Sequence, residues 1–150
     1  MTGLEYVADA ARAIAPPLVR WATRALAHVR ITQPENNAMV NLGKIRVSGT
    51  YWCLCGLRFV VLHHHENDYW PQGSPVLERK RRWHKDVNIG PPVGEKHYIS
   101  IAAITGDVPL LFDHYYRVGE ATKHWVPIVV YQHQFPKGLT ILDTIQVQVP

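Results

Sequence analysis

The feature of this sequence that most directly suggests metal binding is a run of three histidines, His63, His64 and His65. In an extended strand, His63 and His65 would share one face and His64 would lie on the other. Two imidazoles on one face begin a zinc site that needs further donors, whereas the alternative is a strand end with polar rings at its rim. His63 and His65 are therefore weak metal candidates, and we expect no cofactor. The nearby donors that would complete a site are His84, Glu66 and Asp68.

The strongest charge feature is the group of basic residues between positions 79 and 85, namely Arg79, Lys80, Arg81, Arg82 and Lys85. Basic groups neutralise phosphates and aromatic faces stack on bases, so the basic-aromatic stretch 69–85 suggests single-stranded nucleic acid binding. The alternative is a solvated turn between two strands, which the modest net charge of +4 favours. The candidate binding residues are Tyr69, Trp70, Arg79, Arg81, Arg82 and Trp83.

Motifs that identify an enzyme are absent from the sequence: it contains no phosphate-binding loop, nucleophile elbow or H-E-x-x-H pattern. Acidic residues and histidines that stand alone, such as Asp107, Asp113, His114 and Asp143, are explained by helix capping, surface exposure or strand positions. We therefore predict that the protein is not an enzyme, and we name no catalytic residue.

Residues 1–28 differ in composition from the rest and have a helical pattern broken at Pro16-Pro17. After the break, apolar residues recur on one face, which predicts an amphipathic helix. A helix of about 13 residues is marginal alone in water, so we expect it to dock against the sandwich or a second copy. The alternative is membrane-surface attachment, which the few arginines would leave weak. The predicted interaction residues are Leu18, Trp21, Ala22, Leu26 and Val29.

The remainder has the two-residue periodicity of short strands separated by turn formers. Residues 44–52 alternate between apolar and polar, as in a half-buried strand, and residues 57–62 are almost wholly apolar, as in a central strand. At Asp107 the period becomes helical, with Pro109 in the first turn. Two inward faces fit this helix: Leu111, Tyr115 and Val118, or Leu110, His114 and Val118.

With 150 residues the chain can form one domain with its own core and a small appendage. Cys53 and Cys55 are too close in one strand to bridge, so we expect free thiols in a reducing compartment. The sequence has no basic start followed by an apolar run and no apolar stretch of about 18 residues. We therefore expect a cytoplasmic protein without a transmembrane segment.

The run ITQPENNAMVNLGKIRVSGTYW resembles the opening of prokaryotic immunoglobulin-like domains, in which a short strand ending in proline precedes a strand of the form V-x-G-x-Y. The resemblance continues through LRFVVLHHH, DYWPQ and FPKGLTILDTIQVQV, and covers about residues 29–150. It implies a bacterial, all-β, immunoglobulin-like antiparallel β-sandwich. The chain departs from this pattern by one helix inserted before the last strand, at residues 107–124, and the helical pattern of residues 1–28 adds an N-terminal helical appendage. The matching positions are Ile31, Pro34, Val40, Val47, Gly49 and Tyr51.

Such sandwiches host many functions and bring no catalytic motif. We therefore predict a non-catalytic binding or interaction module that recognises a protein or a small ligand within a larger assembly, with a protein partner or self-association. The alternatives are nucleic-acid binding through 69–85 and weak membrane-surface association through the N-terminal helix.

Overall fold

A computed structural model describes residues 27–53, 57–131 and 134–150. The predicted N-terminal helix and Cys55 lie outside these ranges. The described residues form ten strands, one α-helix and a single turn of 3-10 helix at Arg79–Arg81. The elements are β1 (Ala27–Gln33), β2 (Ala38–Met39), β3 (Gly43–Cys53), β4 (Arg58–His65), β5 (Asp68–Gly73), β6 (Val76–Glu78), β7 (Arg82–Ile89), β8 (Lys96–Ile104), α1 (Val108–Thr122), β9 (Ile128–Val129) and β10 (Leu139–Gln148).

The strands make two sheets that pack face to face. One has four strands in the order β1-β3-β7-β6, and the other has six in the order β2-β10-β8-β4-β5-β9. Neighbouring strands are antiparallel except for β2 and β10, which are parallel. The predicted all-β sandwich is confirmed, and so is the helix before the last long strand, from which the two-residue β9 separates it.

The main core lies between the two sheets, where alternate residues of the long strands meet. Val47 in β3 and Val87 in β7 are fully buried from one side, and Val61 and Ile99 from the other. Strand β4 is apolar on its second face as well, as its unbroken apolar run predicts. There Leu62 and its neighbours belong to a second core on the outer face of the six-stranded sheet.

Helix α1 covers that outer face and explains why β4 is buried on both sides. Val108 and Phe112 of the helix pack in one cluster with Val60 and Ile104 of the sheet. At the rim, the guanidinium of Arg58 donates a 2.8 Å hydrogen bond to a carboxylate oxygen of Asp113 and joins β4 to α1. This pair holds the pKa of the Asp113 carboxyl below its ordinary value.

Both inward faces predicted for α1 are wrong. The helix buries Val108, Phe112 and Gly119, whereas Leu110 and Leu111 are 69% and 45% exposed. Apolar residues surround most of this helix, so spacing does not select one stripe. The chain after the helix decides the face, because the Trp125 ring packs where a side chain at Gly119 would stand, 2.2 Å from a Cβ. Val118, which belonged to both predicted faces, is 44% exposed.

Val29 lies in β1 and not in a helix. It pairs with Tyr51 of β3 and is 3% exposed in the main core. Its position fits both the apolar face of a helix and the two-residue alternation of His28, Val29 and Arg30 in a strand. Pairing with β3 makes this segment a strand. The strand therefore begins at Ala27, before the predicted boundary at residue 29. In the described part of the chain, no helix has the length and apolar character needed to cross a bilayer.

A close contact at Gly49 joins three strands of the four-stranded sheet. The indole N–H of Trp83 in β7 donates to the carbonyl oxygens of Arg30 and Thr50, at 3.2 Å and 3.3 Å. A Cβ at Gly49 would stand 1.8 Å from the Arg30 carbonyl oxygen and 2.8 Å from the Trp83 indole nitrogen. Glycine is required here because a backbone atom occupies the space of a side chain.

Replacing Gly49 with alanine should therefore destabilise the fold by at least about 3 kcal/mol, the upper range for an overpacked core, because a backbone carbonyl would have to move. Gly90→Ala is the matched control, since a Cβ there meets no atom within 4 Å. Urea unfolding of the two variants measures the difference. Equal stability of Gly49→Ala and Gly90→Ala would contradict the close approach of β1 to β3.

Candidate functional site

Four consecutive cations, Arg79, Lys80, Arg81 and Arg82, connect β6 to β7, and we call them the basic turn. All four are exposed. Within the described ranges none of them forms an ion pair. Lys80 and Arg81 have φ angles of 59° and 58°, a left-handed conformation that costs a non-glycine residue roughly 1 kcal/mol or more. The basic turn thus displays unneutralised charge on a strained backbone.

Strand β6 lies beside the basic turn, and no other described strand pairs with its outer side, so it is the edge of the four-stranded sheet. Its side chains Val76 and Leu77 are 52% and 53% exposed. The Glu78 carboxylate lies 2.7 Å from Nδ1 of His84, though without hydrogen-bond alignment. Glu78 is the cross-strand partner of Arg82, but its carboxylate turns to His84 and forms no ion pair with Arg82 among the described residues. An edge strand with unpaired backbone groups and two apolar side chains is a template for pairing with another chain.

The aromatic residues of the stretch 69–85 are packed inside the protein. Trp83 is 1% exposed and Tyr69 is 6% exposed. The half-buried Trp70 stacks on His63 with ring centroids 5.4 Å apart. Burial prevents Trp83 and Tyr69 from stacking on bases, and one face of Trp70 is taken by His63.

Trp70 and Tyr69 also lie at the opposite end of the sandwich from the basic turn, whereas the buried Trp83 directly follows Arg82. Trp70 and Tyr69 pair with His63 and His64 at the finishing end of β4. Arg82 pairs with Thr50 near the finishing end of β3, close to where β4 begins. The structure therefore does not bring the predicted basic-aromatic stretch together as one surface.

A second cluster of chemical interest lies at the end where β4 finishes. His63 and His97 are 3% and 0% exposed, and His63 Nε2 lies 2.9 Å from His97 Nδ1. His97 Nε2 lies 2.7 Å from the carbonyl oxygen of Pro92. A carbonyl only accepts, so in the neutral rings His97 donates to Pro92 and accepts from His63. The two buried imidazoles form a short hydrogen-bonded chain.

Burial lowers the pKa of His63 to about 3, and the nearby His97, His64 and His65 reinforce the shift. The charged imidazole would lose its hydration inside the core without gaining a carboxylate partner. His63 is therefore neutral at physiological pH.

His65 continues the same face but reaches the protein surface. Its Nε2 lies 2.5 Å from a carboxylate oxygen of Glu95, in the loop before β8. The carboxylate of Glu66, in the turn after β4, lies within 4.8 Å of the ligand atoms of both residues. We call His65, Glu66 and Glu95 the acidic histidine site. His84 lies on the other sheet beside Glu78, away from this site.

A serine–histidine pair lies on the opposite face of β4. His64 Nε2 is 2.9 Å from Ser100 Oγ, which in turn is 2.7 Å from Thr144 Oγ1. His64 also stacks on Tyr69, with ring centroids 4.3 Å apart. Ser100 is 1% exposed, so its hydroxyl is enclosed by the protein. The arrangement cross-links β4, β8 and β10 through polar groups.

The sequence patterns did not identify His97 or Glu95 as candidate site residues. His97, Ile99 and Ile101 are alternate residues of β8 and lie on the same face of the strand. This two-residue spacing could have predicted that His97 is buried. Glu95 follows a glycine-containing loop, and no local pattern connects it with His65, thirty positions earlier. The interaction residues Leu18, Trp21, Ala22 and Leu26 lie outside the described residues.

No model of a known protein family matches the chain, and no curated protein has significant sequence similarity to it. The resemblance to prokaryotic immunoglobulin-like domains therefore stays a prediction from the motifs of the sequence.

The low pKa of His63 makes the stability depend on pH. Between the unfolded value of 6.5 and the folded value of about 3, the unfolded chain binds a proton that the folded protein does not. Stability should fall as pH decreases through this window, by about 2 kcal/mol from pH 6.5 to pH 4.5 for this group. Urea unfolding in metal-free buffer at several pH values measures the slope.

His63→Gln should reduce this slope, and the exposed His114→Gln should leave it unchanged. An identical pH dependence in the wild-type protein and His63→Gln would show that His63 is not the titrating group.

Proposed function

We propose that this protein is a non-catalytic, immunoglobulin-like binding module, and that it recognises an acidic, extended segment of a partner protein. The segment adds to the free edge of β6 and places its carboxylates against the basic turn. The observation that carries the proposal is the set of four exposed cations that form no ion pair with any described residue, next to an edge strand with exposed apolar side chains.

The strand order supports the immunoglobulin-like part. Immunoglobulin domains place their first, second, fifth and fourth main strands in one sheet, and their seventh, sixth and third strands in the other. The orders β1-β3-β7-β6 and β10-β8-β4 follow this arrangement, with β5 added beside β4 as in the variable type. One difference is the buried tryptophan, which here lies on β7 and not on β4.

Charge and shape together favour an acidic strand as the partner. An edge strand gives main-chain hydrogen bonds to an added strand, and alternate side chains of that strand give specificity. Val76 lies on the outer face with His84, and Leu77 lies opposite Trp83. An incoming strand with alternating apolar and acidic residues would satisfy the edge and also neutralise the basic turn.

The same observations weaken the alternatives. Nucleic acid would gain phosphate contacts from the basic turn, but the rings of Trp83 and Tyr69 are buried and offer no stacking platform. Membrane attachment through the N-terminal helix depends on residues outside the described ranges. Nucleic acid is therefore an outcome that the experiment has to distinguish.

The triple variant Arg79→Gln, Arg81→Gln, Arg82→Gln should bind a short labelled peptide of alternating valine and glutamate at least about tenfold more weakly than the wild type. Three rim charges at about 0.5 kcal/mol each correspond to this factor. Fluorescence anisotropy measures the affinity, which should also fall as salt is raised. A peptide with a central proline should bind less well, because it cannot complete the ladder.

The matched control removes three exposed cations elsewhere, in Lys96→Gln, Arg117→Gln, Lys137→Gln, and has the same net charge. It should retain most of the affinity. Equal losses in the two triple variants would refute the basic turn as the site. Tighter binding of an oligothymidylate than of the peptide, lost in the basic-turn variant, would replace the acidic partner with single-stranded nucleic acid.

A further inference from the structure

We propose that the acidic histidine site binds a divalent first-row transition-metal cation, with Zn²⁺ as its best ligand. The site lies at the opposite end of the sandwich from the basic turn and is independent of the function proposed there. Its three ligands are His65 at the end of β4, Glu66 in the turn that follows, and Glu95 in the loop before β8.

The distances match the size of such an ion. The three ligand atoms lie within 4.8 Å of one another. Zinc binds histidine nitrogen and carboxylate oxygen at close to 2.1 Å, which places donors in a tetrahedral site about 3.4 Å apart. The 2.5 Å separation of His65 Nε2 and Glu95 Oε2 would open by about 1 Å to admit the ion, while Glu66 would close on it.

The negative charges of Glu66 and Glu95 also favour the binding of a cation. Two carboxylates approach each other here, and within the described part of the chain neither lies within ion-pair distance of a lysine or arginine nitrogen. Like charges at this separation destabilise each other, and within the described ranges the His65 imidazole lies within ion-pair distance of Glu95 alone. A divalent ion would balance both carboxylates and replace the hydrogen bond between His65 and Glu95.

The protein behind the ligands holds them in place. The His65 ring lies against His97 with centroids 5.0 Å apart, and His97 is fixed by His63 and the Pro92 carbonyl. The Glu95 carbonyl accepts a 3.3 Å hydrogen bond from the backbone N–H of Val149. Two of the three ligands therefore sit on supported positions, which lowers the cost of organising the site.

His63 does not belong to the ligand set, although the sequence made it a candidate beside His65. Its Nε2 is engaged by His97 and its ring is 3% exposed between Trp70 and His97. The ion instead gains two carboxylates from the surface loops. Because Glu66 and Glu95 are exposed, the remaining coordination positions are open to water.

The nature of the donors selects the class of metal. Imidazole nitrogen suits Zn²⁺ and its first-row neighbours, and two carboxylate oxygens keep harder ions such as Mn²⁺ as weaker competitors. A site of one histidine and two carboxylates therefore should rank Zn²⁺ above Mn²⁺, in the order that nitrogen-containing sites generally follow.

The experiment is isothermal titration of the full chain with ZnCl₂ and, separately, MnCl₂. The protein carries no histidine tag, and Cys53 and Cys55 are replaced with serine to remove thiol ligands. We expect one equivalent of zinc, with manganese binding more weakly. Glu66→Gln, Glu95→Gln and His65→Gln should each weaken zinc binding at least about tenfold. Glu35→Gln, an exposed glutamate outside the site, should leave the affinity unchanged.

Thermal unfolding of each variant without metal checks that it folds, and zinc should raise the melting temperature of the wild type but not of Glu95→Gln. Absence of stoichiometric binding by both metals would overturn the proposal. Zinc binding that is unchanged in Glu66→Gln and Glu95→Gln would also overturn it, because the ion would then lie elsewhere.

Discussion

The packing of Trp83 over Gly49 is the contact on which the four-stranded sheet depends. One indole N–H satisfies two backbone carbonyls, and the missing side chain of Gly49 lets β1 approach β3 closely enough for this. Large buried aromatic rings contribute several kcal/mol each to a core. Since Trp83 directly follows Arg82, the basic turn is attached to a buried, hydrogen-bonded residue of its sheet.

The sandwich separates two kinds of chemistry along its strands. The basic turn leads into β7, whose eight residues span roughly 23 Å, and the loop after the far end of β7 contains Glu95 of the acidic histidine site. Between them the main core is formed mostly by apolar side chains, and the hydrogen-bonded chain of His63, His97 and the Pro92 carbonyl lies at the histidine end. The two ends therefore carry separate groups: exposed cations at one and two carboxylates with a histidine at the other.

Both sites lie on turns and strand ends, which is where a sandwich tolerates variation without loss of its core. The polar contacts within the six-stranded sheet, such as Ser100 with His64 and Thr144, are enclosed and hold strands together. Asp143 also holds strands together. Its carboxylate accepts a 2.8 Å hydrogen bond from the backbone N–H of Ile31, which joins β10 of one sheet to β1 of the other. The buried polar groups thus join strands, whereas the groups of both proposed sites lie at the surface or reach it.

The sequence by itself determined the elements that depend on nearby residues. The alternation in β3, the apolar run of β4 and the switch to a helix at Asp107 all follow from local periodicity, and the structure has them where the sequence predicts them. Contacts between distant residues were decided by the tertiary structure alone. Trp83 meets Arg30 across 53 positions and His65 meets Glu95 across 30. Such contacts depend on which strands pair and in which register. A one-residue shift of a strand's register would turn each of its side chains to the other face of the sheet.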